Sequence, residues 1–184
     1  YNTPHSPMQV PDEFWERFKD KEIEMHNRDP KKEVDLHLRS ALAMCENIDW
    51  NVGRLLNKLD ELGIAEDTIV VYFHDNGPNG VRWNGDMKGR KGATDEGGVR
   101  TAMFMRWKGT IEEGKVVTQI GSVTDLHPTL ANLAGIDVAS TKHLDGRSLR
   151  PLIIGDGSEW KNRAIINQWK DKISIRNQRY RLGD

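Results

Sequence analysis

A run of β-branched and aromatic residues, Ile69-Val70-Val71-Tyr72-Phe73, breaks off abruptly at His74-Asp75-Asn76-Gly77, and few folds accommodate that junction. The run is too short for a stable helix and predicts a fully buried strand. Beyond it, seven glycines fall between Gly77 and Gly98 among polar and charged residues that include Arg82, Lys88 and Lys91. A buried strand that delivers an Asp and an Asn into a glycine-rich loop is the usual layout of a site at the carboxyl edge of an open α/β sheet.

The flanking patterns extend the α/β reading. Upstream, Leu38, Ala41, Leu42, Cys45, Ile48, Val52, Leu55, Leu56, Leu59 and Leu62 recur three or four apart, and Gly63 supplies the stop of a long amphipathic helix. Helix, short connection and buried strand make an αβ unit of a largely parallel sheet. Phe14, Trp15 and Phe18 suggest a short helix from Asp12, and Thr101 to Trp107 a second strand. A second helix runs from Leu126 to Ala134 behind Asp125, with Pro128 in its first turn and Gly135 as its stop. After Gly155 the texture changes to short alternating strands, Ala164 to Ile166 and Lys172 to Arg176, with a further strand from Arg179. The expected fold is therefore α/β over residues 1–155, with a mostly parallel or mixed sheet flanked by helices. Residues 156–184 begin a small antiparallel subdomain that is cut off at Asp184.

Composition narrows the function classes. Lys plus Arg number 27 against 28 Asp plus Glu, so nothing favours a nucleic-acid or membrane-surface partner. No stretch approaches the ~20 apolar residues of a membrane span. The single cysteine, Cys45, excludes an internal disulfide and a cysteine-based zinc cluster, and its place on the helix stripe makes it a core filler. The chain lacks an initiator Met and a signal-peptide pattern, so the expectation is a piece of a longer protein.

Three places could carry chemistry. Asp75 and Asn76 offer a carboxylate and an amide carbonyl, hard oxygens suited to calcium or magnesium, although Asn76-Gly77 also reads as a plain turn. Lys91, between Arg90 and Gly92, could hold an anion that approaches the glycine backbone, or could sit in a solvated basic loop. His5, stiffened by Pro4 and Pro7, is a surface residue or a participant. A divalent cation beside a lysine suits an anionic phosphate or sulfate ester.

The strings DNGP, GRKGATDEGGVR and RWKG closely resemble the sulfatase family, whose members carry Asp-Asn-Gly at a strand end and a Gly-Lys-Gly-x-x-x-Glu-Gly-Gly-x-Arg loop. YNTPHSPMQVP is similar to the family's Pro-His-x-Pro segment, and CENIDWNVGRLLNKLDELGIAEDTIVV to its long helix and following strand. SVTDLHPTLANLAGI, LDGRSLRPLIIG and SIRNQRYRL match its later helix, turn and C-terminal strand pair.

The resemblance implies an alkaline-phosphatase-like fold and hydrolysis of a small-molecule or glycan sulfate ester. By the same resemblance, Asp75 and Asn76 match two ligands of a divalent cation, usually calcium, with magnesium the alternative. Lys91 and His5 match residues that contact the sulfate, the lysine stabilising the leaving oxygen. Many family members are secreted, periplasmic or lysosomal. Arg90 departs from the small residue the family often has before the lysine.

A larger departure is that the Cys/Ser-x-Pro-x-Arg motif, source of the family's formylglycine nucleophile, does not occur; Cys45 is followed by Glu-Asn-Ile-Asp. The resemblance places that motif, and the paired aspartates completing the cation site, upstream of Tyr1. The chain should then hold about half an active site. The alternatives are a phosphodiesterase or phosphonate hydrolase of the same superfamily, and a non-catalytic module that binds metal and anion. Arg82, Trp83 and Asn84, ahead of Lys91, could line the pocket for the sulfated alcohol.

Overall fold

The computed structural model describes residues 3–138 and 143–183. The chain forms two compact units, Tyr1–Met105 and Arg106–Asp184.

In the first unit, α1 (Asp12–Trp15) packs on the long α2 (Asp35–Glu61). Of the anticipated stripe Leu38, Ala41 and Ile48 are buried, joined by Met44, which it did not include, and Phe14 drops into the same core, while Leu55 and Leu62 stay exposed. Phe14 meets Trp50 edge-on at 6.0 Å between ring centroids. Burying a side chain the size of Phe14 or Met44 stabilises by about 1.5–3 kcal/mol. Gly63 takes φ +69 after the helix, a backbone conformation that a side chain disfavours, and the chain turns into β1 (Val70–Phe73). Strand β1 pairs with β2 (Met103–Arg106).

The burial expected of this strand is not observed. Val70, Val71 and Tyr72 are half-buried, and Phe73 is 43% exposed. Among the described residues β1 belongs to a two-stranded sheet, so its faces lack the covering layers that a run of apolar residues was read as requiring. Cys45 also departs from expectation: it is exposed, at the margin of the α2 stripe.

In the second unit a 3-10 turn at Val123–Asp125 leads into α4 (Leu126–Leu133), with α3 (Glu96–Val99) lying earlier, in the first unit. Ser122 and Asp125 form a reciprocal capping box at that turn. Helix α5 (Arg150–Ile153) packs on α4, and Thr129 Oγ1 accepts from Leu149 N at 2.8 Å. Buried Leu133, Leu149, Leu152 and Ile153 form the apolar core around a polar centre. That centre is Asp125, whose carboxylate is fully buried and accepts from Ser122 N, Arg147 N and the Arg163 guanidinium.

The unit ends in an antiparallel sheet of β3 (Ile165–Trp169), β4 (Lys172–Arg176) and β5 (Arg181–Gly183) in the order β3-β4-β5. The alternating strands expected after Gly155 are therefore present, in the register Ile166↔Ile175↔Leu182.

Candidate functional site: a glycine-pinned loop

Strand β1 ends at Phe73, and backbone hydrogen bonds fold the glycine-rich loop back onto that end. Gly77 N donates to Gly98 O at 2.9 Å, Lys91 N to Pro78 O at 2.9 Å, and Gly97 N to Lys88 O at 2.7 Å. Lys91 is thereby brought, by its backbone, to within two residues of Asn76. Thr101 Oγ1 donates to His74 O at 2.9 Å, tying the exit of the loop to the same strand end. Tyr72 Oη lies 3.1 Å from His74 Nε2, with the two rings edge to face at 87°.

Glycine is required here by space. A Cβ on Gly77 would lie 1.9 Å from Gly97 O, and one on Gly97 would lie 2.3 Å from Gly89 O and 2.6 Å from Asn84 Nδ2. The clashing atoms are mostly backbone, so the loop cannot yield by a rotamer change. We expect Gly97→Ala to destabilise the protein by about 1–3 kcal/mol in urea unfolding. Gly80→Ala, with nothing within 4 Å of the added carbon, should change stability by less than about 0.5 kcal/mol.

Of the four residues singled out in the sequence, Asp75 and Asn76 are neighbours at the strand end, and the Lys91 main chain is bonded two residues beyond them, to Pro78. Asp75 is exposed, and Asn76 is half-buried with its Nδ2 donating to Gly77 O at 3.0 Å. That bond leaves the Asn76 amide oxygen as an available acceptor beside the Asp75 carboxylate. Lys91 is exposed on the loop. His5 is exposed as well, and its Nδ1 lies 2.8 Å from Ser6 O. A carbonyl can only accept, so Nδ1 carries the proton and Nε2 is the open nitrogen. No hydrogen bond or ion pair among the described residues links His5 to Asp75, Asn76 or Lys91.

Asp75 and Asn76 have the chemistry of calcium or magnesium ligands, yet two side chains fall short of the roughly six to eight oxygens that calcium takes. Among the described residues no group of three His, Cys, Asp or Glu side chains gathers where it could hold a metal. The donors fit such an ion as part of a set.

Ahead of Lys91 the loop is held by a clamp that sequence reasoning missed. Asn27 Nδ2 donates to Arg82 O at 2.8 Å across a separation of 55 residues. Asn27 is itself fixed, because its backbone N donates to Glu33 Oε1, while Glu33 Oε2 takes His26 Nδ1. No local pattern around Asn27 announces this role. Burial pushes the Arg82 guanidinium down from its ordinary pKa, and burial raises the Cys45 thiol despite its exposed edge, with the Arg82 charge opposing that rise. Cys45 is accordingly a poor nucleophile.

The His26 side chain is held above its ordinary pKa of 6.5, first by its hydrogen bond to Glu33. A raised folded-state pKa means that the His26–Glu33 tie contributes fully below the unfolded value and is lost as pH rises through the folded one. Amide hydrogen exchange at Arg82 to Asn84, corrected for intrinsic rates, should therefore quicken as pH rises above 6.5. The His26→Gln variant should show no such step.

The family model described as Sulfatase matches residues 1–136, and that of N-sulphoglucosamine sulphohydrolase, C-terminal, matches residues 91–182. Mouse (Mus musculus) steryl-sulfatase is 42% identical over 132 residues, which cover 66% of this chain and 21% of that protein. Human (Homo sapiens) arylsulfatase A is 40% identical over 115 residues, covering 60% of this chain and 22% of its own length. The chain thus spans about a fifth of the length of the curated relatives it matches. Among solved structures, Ps i-CgsB in complex with k-i-k-neocarrahexaose superposes with a TM-score of 0.75 at 28% identity, over 96% of this chain and 38% of that one. The Bacteroides fragilis protein yidJ shares the fold, with a TM-score of 0.77 at 21% identity over 98% of this chain and 42% of its own. With one family model spanning both the Pro-His-x-Pro segment and the glycine-pinned loop, the chain belongs to the sulfatase family.

Proposed function

We propose that the protein carrying this chain is a sulfuric ester hydrolase acting on the sulfate ester of a small alcohol or a saccharide, and that the chain supplies the later half of its active site. The observation that carries this reading is the loop itself, where backbone hydrogen bonds set Lys91 beside the Asp75-Asn76 strand end.

Asp75 and Asn76 contribute hard oxygens to a divalent cation, calcium or magnesium, which when bound draws charge off a sulfate oxygen. Lys91 presents a compact ammonium to the sulfate and to the oxygen that leaves. His5, once its Nε2 has taken up a proton, gives that proton to the departing alcohol and returns to the neutral ring whose Nδ1–H stays on Ser6 O. Asn27 keeps the Arg82 to Asn84 segment in place, and that segment lines the side of the pocket that receives the alcohol.

We infer further that β1 and β2 belong to a larger, mostly parallel sheet of the alkaline-phosphatase kind, and that residues 156–184 open a small antiparallel subdomain. The fold likeness over nearly the whole chain and the β3-β4-β5 sheet support this.

The chain contains no Cys/Ser-x-Pro-x-Arg motif to supply the nucleophile. Pure 184-residue chain should therefore leave 4-nitrophenyl sulfate intact, and the reading frame upstream of Tyr1 should encode that motif. Turnover by the chain alone that disappears in Lys91→Ala would refute the division of labour. An upstream frame without the motif would favour a binding module.

A further inference from the structure

Within the second unit a cleft of about 480 Å³ opens between three segments and is lined by Gln119, Gly157, Trp160, Asn162, Gln178 and Arg179. Its volume is that of a small-ligand pocket. Hydrogen bonds fix each wall. Gln178 accepts from Ile120 N at 2.9 Å and donates to Thr118 O at 2.8 Å, so the turn at 177–180 is stitched to the loop at 118–120. Asn177 Oδ1 accepts from Arg179 N and Tyr180 N, which sets the turn. On the opposite wall Gly157 N donates to Pro151 O and Trp160 N to Gly157 O, each at 3.0 Å.

Trp160 is further ordered by two guanidinium groups, those of Arg147 and Arg163, each 5.4 Å from its ring centroid. The charges around it are unequal in kind. Arg163 is neutralised by the buried Asp125 carboxylate. Among the described residues the Arg147 side chain donates to a backbone carbonyl, Lys161 O, and Arg179 is exposed at the cleft wall. Two acidic side chains flank that wall: Asp156, exposed and accepting from Ser158 N and Oγ, and Glu159, exposed beside Trp160 in sequence. The cleft therefore offers an indole, planar amides from Gln119 and Asn162, and the Arg179 guanidinium, with the Arg147 guanidinium against the indole. Indole with amides suits a polyhydroxylated ring, and the guanidinium groups suit an anionic substituent on it.

We propose that this cleft is a binding site for an anionic saccharide, one bearing a sulfate or carboxylate. It is built entirely from the second unit and shares no residue with the Asp75-Asn76-Lys91 loop, so it holds whatever chemistry that loop performs.

Isothermal titration of the 184-residue chain with a κ-carrageenan hexasaccharide, alongside its chemically desulfated counterpart, tests this. The sulfated probe should bind, the desulfated one at least about tenfold more weakly, and Arg179→Gln should weaken the sulfated probe by about tenfold. Trp160→Phe, which keeps an aromatic ring and the fold, should weaken both probes. Lys91→Ala should weaken the sulfated probe less than Arg179→Gln does, which separates this site from the loop. Absence of binding by the wild type at millimolar probe, equal binding of the two probes, or binding unchanged in Arg179→Gln would overturn the proposal. A loss in Lys91→Ala as large as that in Arg179→Gln would also overturn it, by assigning the saccharide to the loop.

Discussion

Asp125→Ala is expected to destabilise the second unit by about 3–5 kcal/mol, enough to unfold it under mild denaturant. The reason is what the carboxylate leaves behind. Asp125 is fully buried and satisfies Ser122 N at 2.8 Å, Arg147 N at 2.9 Å and both terminal nitrogens of Arg163. Removing it strands a guanidinium whose side chain is only 7% exposed and orphans two backbone donors at once. It also dissolves the capping box of the 3-10 turn that leads into α4. The partner deletion Arg163→Met is expected to cost less, because the carboxylate keeps its two backbone donors. A double variant, Asp125→Leu with Arg163→Met, should recover part of the loss, since an apolar pair needs no desolvation. Urea titration read by amide exchange over residues 143–183 measures all three. A loss below about 1 kcal/mol in Asp125→Ala would show that the buried pair is not the keystone of that unit.

Features that depend on local periodicity were legible in the sequence. The three-and-four spacing from Leu38 to Ile48 placed α2 and its buried face, and Gly63 and Gly135 stand after their helices with φ +69 and +70. The alternation in Lys172 to Arg176 placed an antiparallel strand in which Ser174 points to the buried side. Burial of β1 was not legible, because an apolar run states which surface water disfavours and not which layers are present to cover it. Cys45 shows the same limit on a helix, since membership of a stripe does not fix which margin of it stays open.

Asp75, Asn76 and Lys91 stood out in the sequence because the hard oxygens are adjacent and the glycine spacing around the lysine is dense. The reason for those glycines emerges only in three dimensions, where Gly97 presses against the backbone of Lys88 and Gly89. The Asn27 to Arg82 link and the Asp125 to Arg163 pair, separated by 55 and 38 residues, leave no local trace. Polar pairs of that separation are set by how units fold, and composition is blind to them.

Lys91→Ala is expected to produce the largest functional effect. The Lys91 main chain is bonded to Pro78 on a loop whose glycines admit no slack, so the loop holds the base of that side chain beside the Asp75-Asn76 strand end. A charge fixed where negative charge develops contributes mainly in the transition state, and its loss should appear in kcat more than in KM. Lys91→Arg should not restore activity, because a planar fork cannot stand in for a compact point charge at a site this close to backbone. The central claim is that Asp75, Asn76 and Lys91 form the later half of a sulfate-ester site, and it is tested most directly by kcat/KM for 4-nitrophenyl sulfate. The enzyme for that assay is the protein translated from the complete reading frame, assayed with calcium, wild type against Lys91→Ala. The account predicts turnover by the wild type and a loss of about 10²–10³-fold in the variant; an undiminished kcat/KM in Lys91→Ala would contradict it.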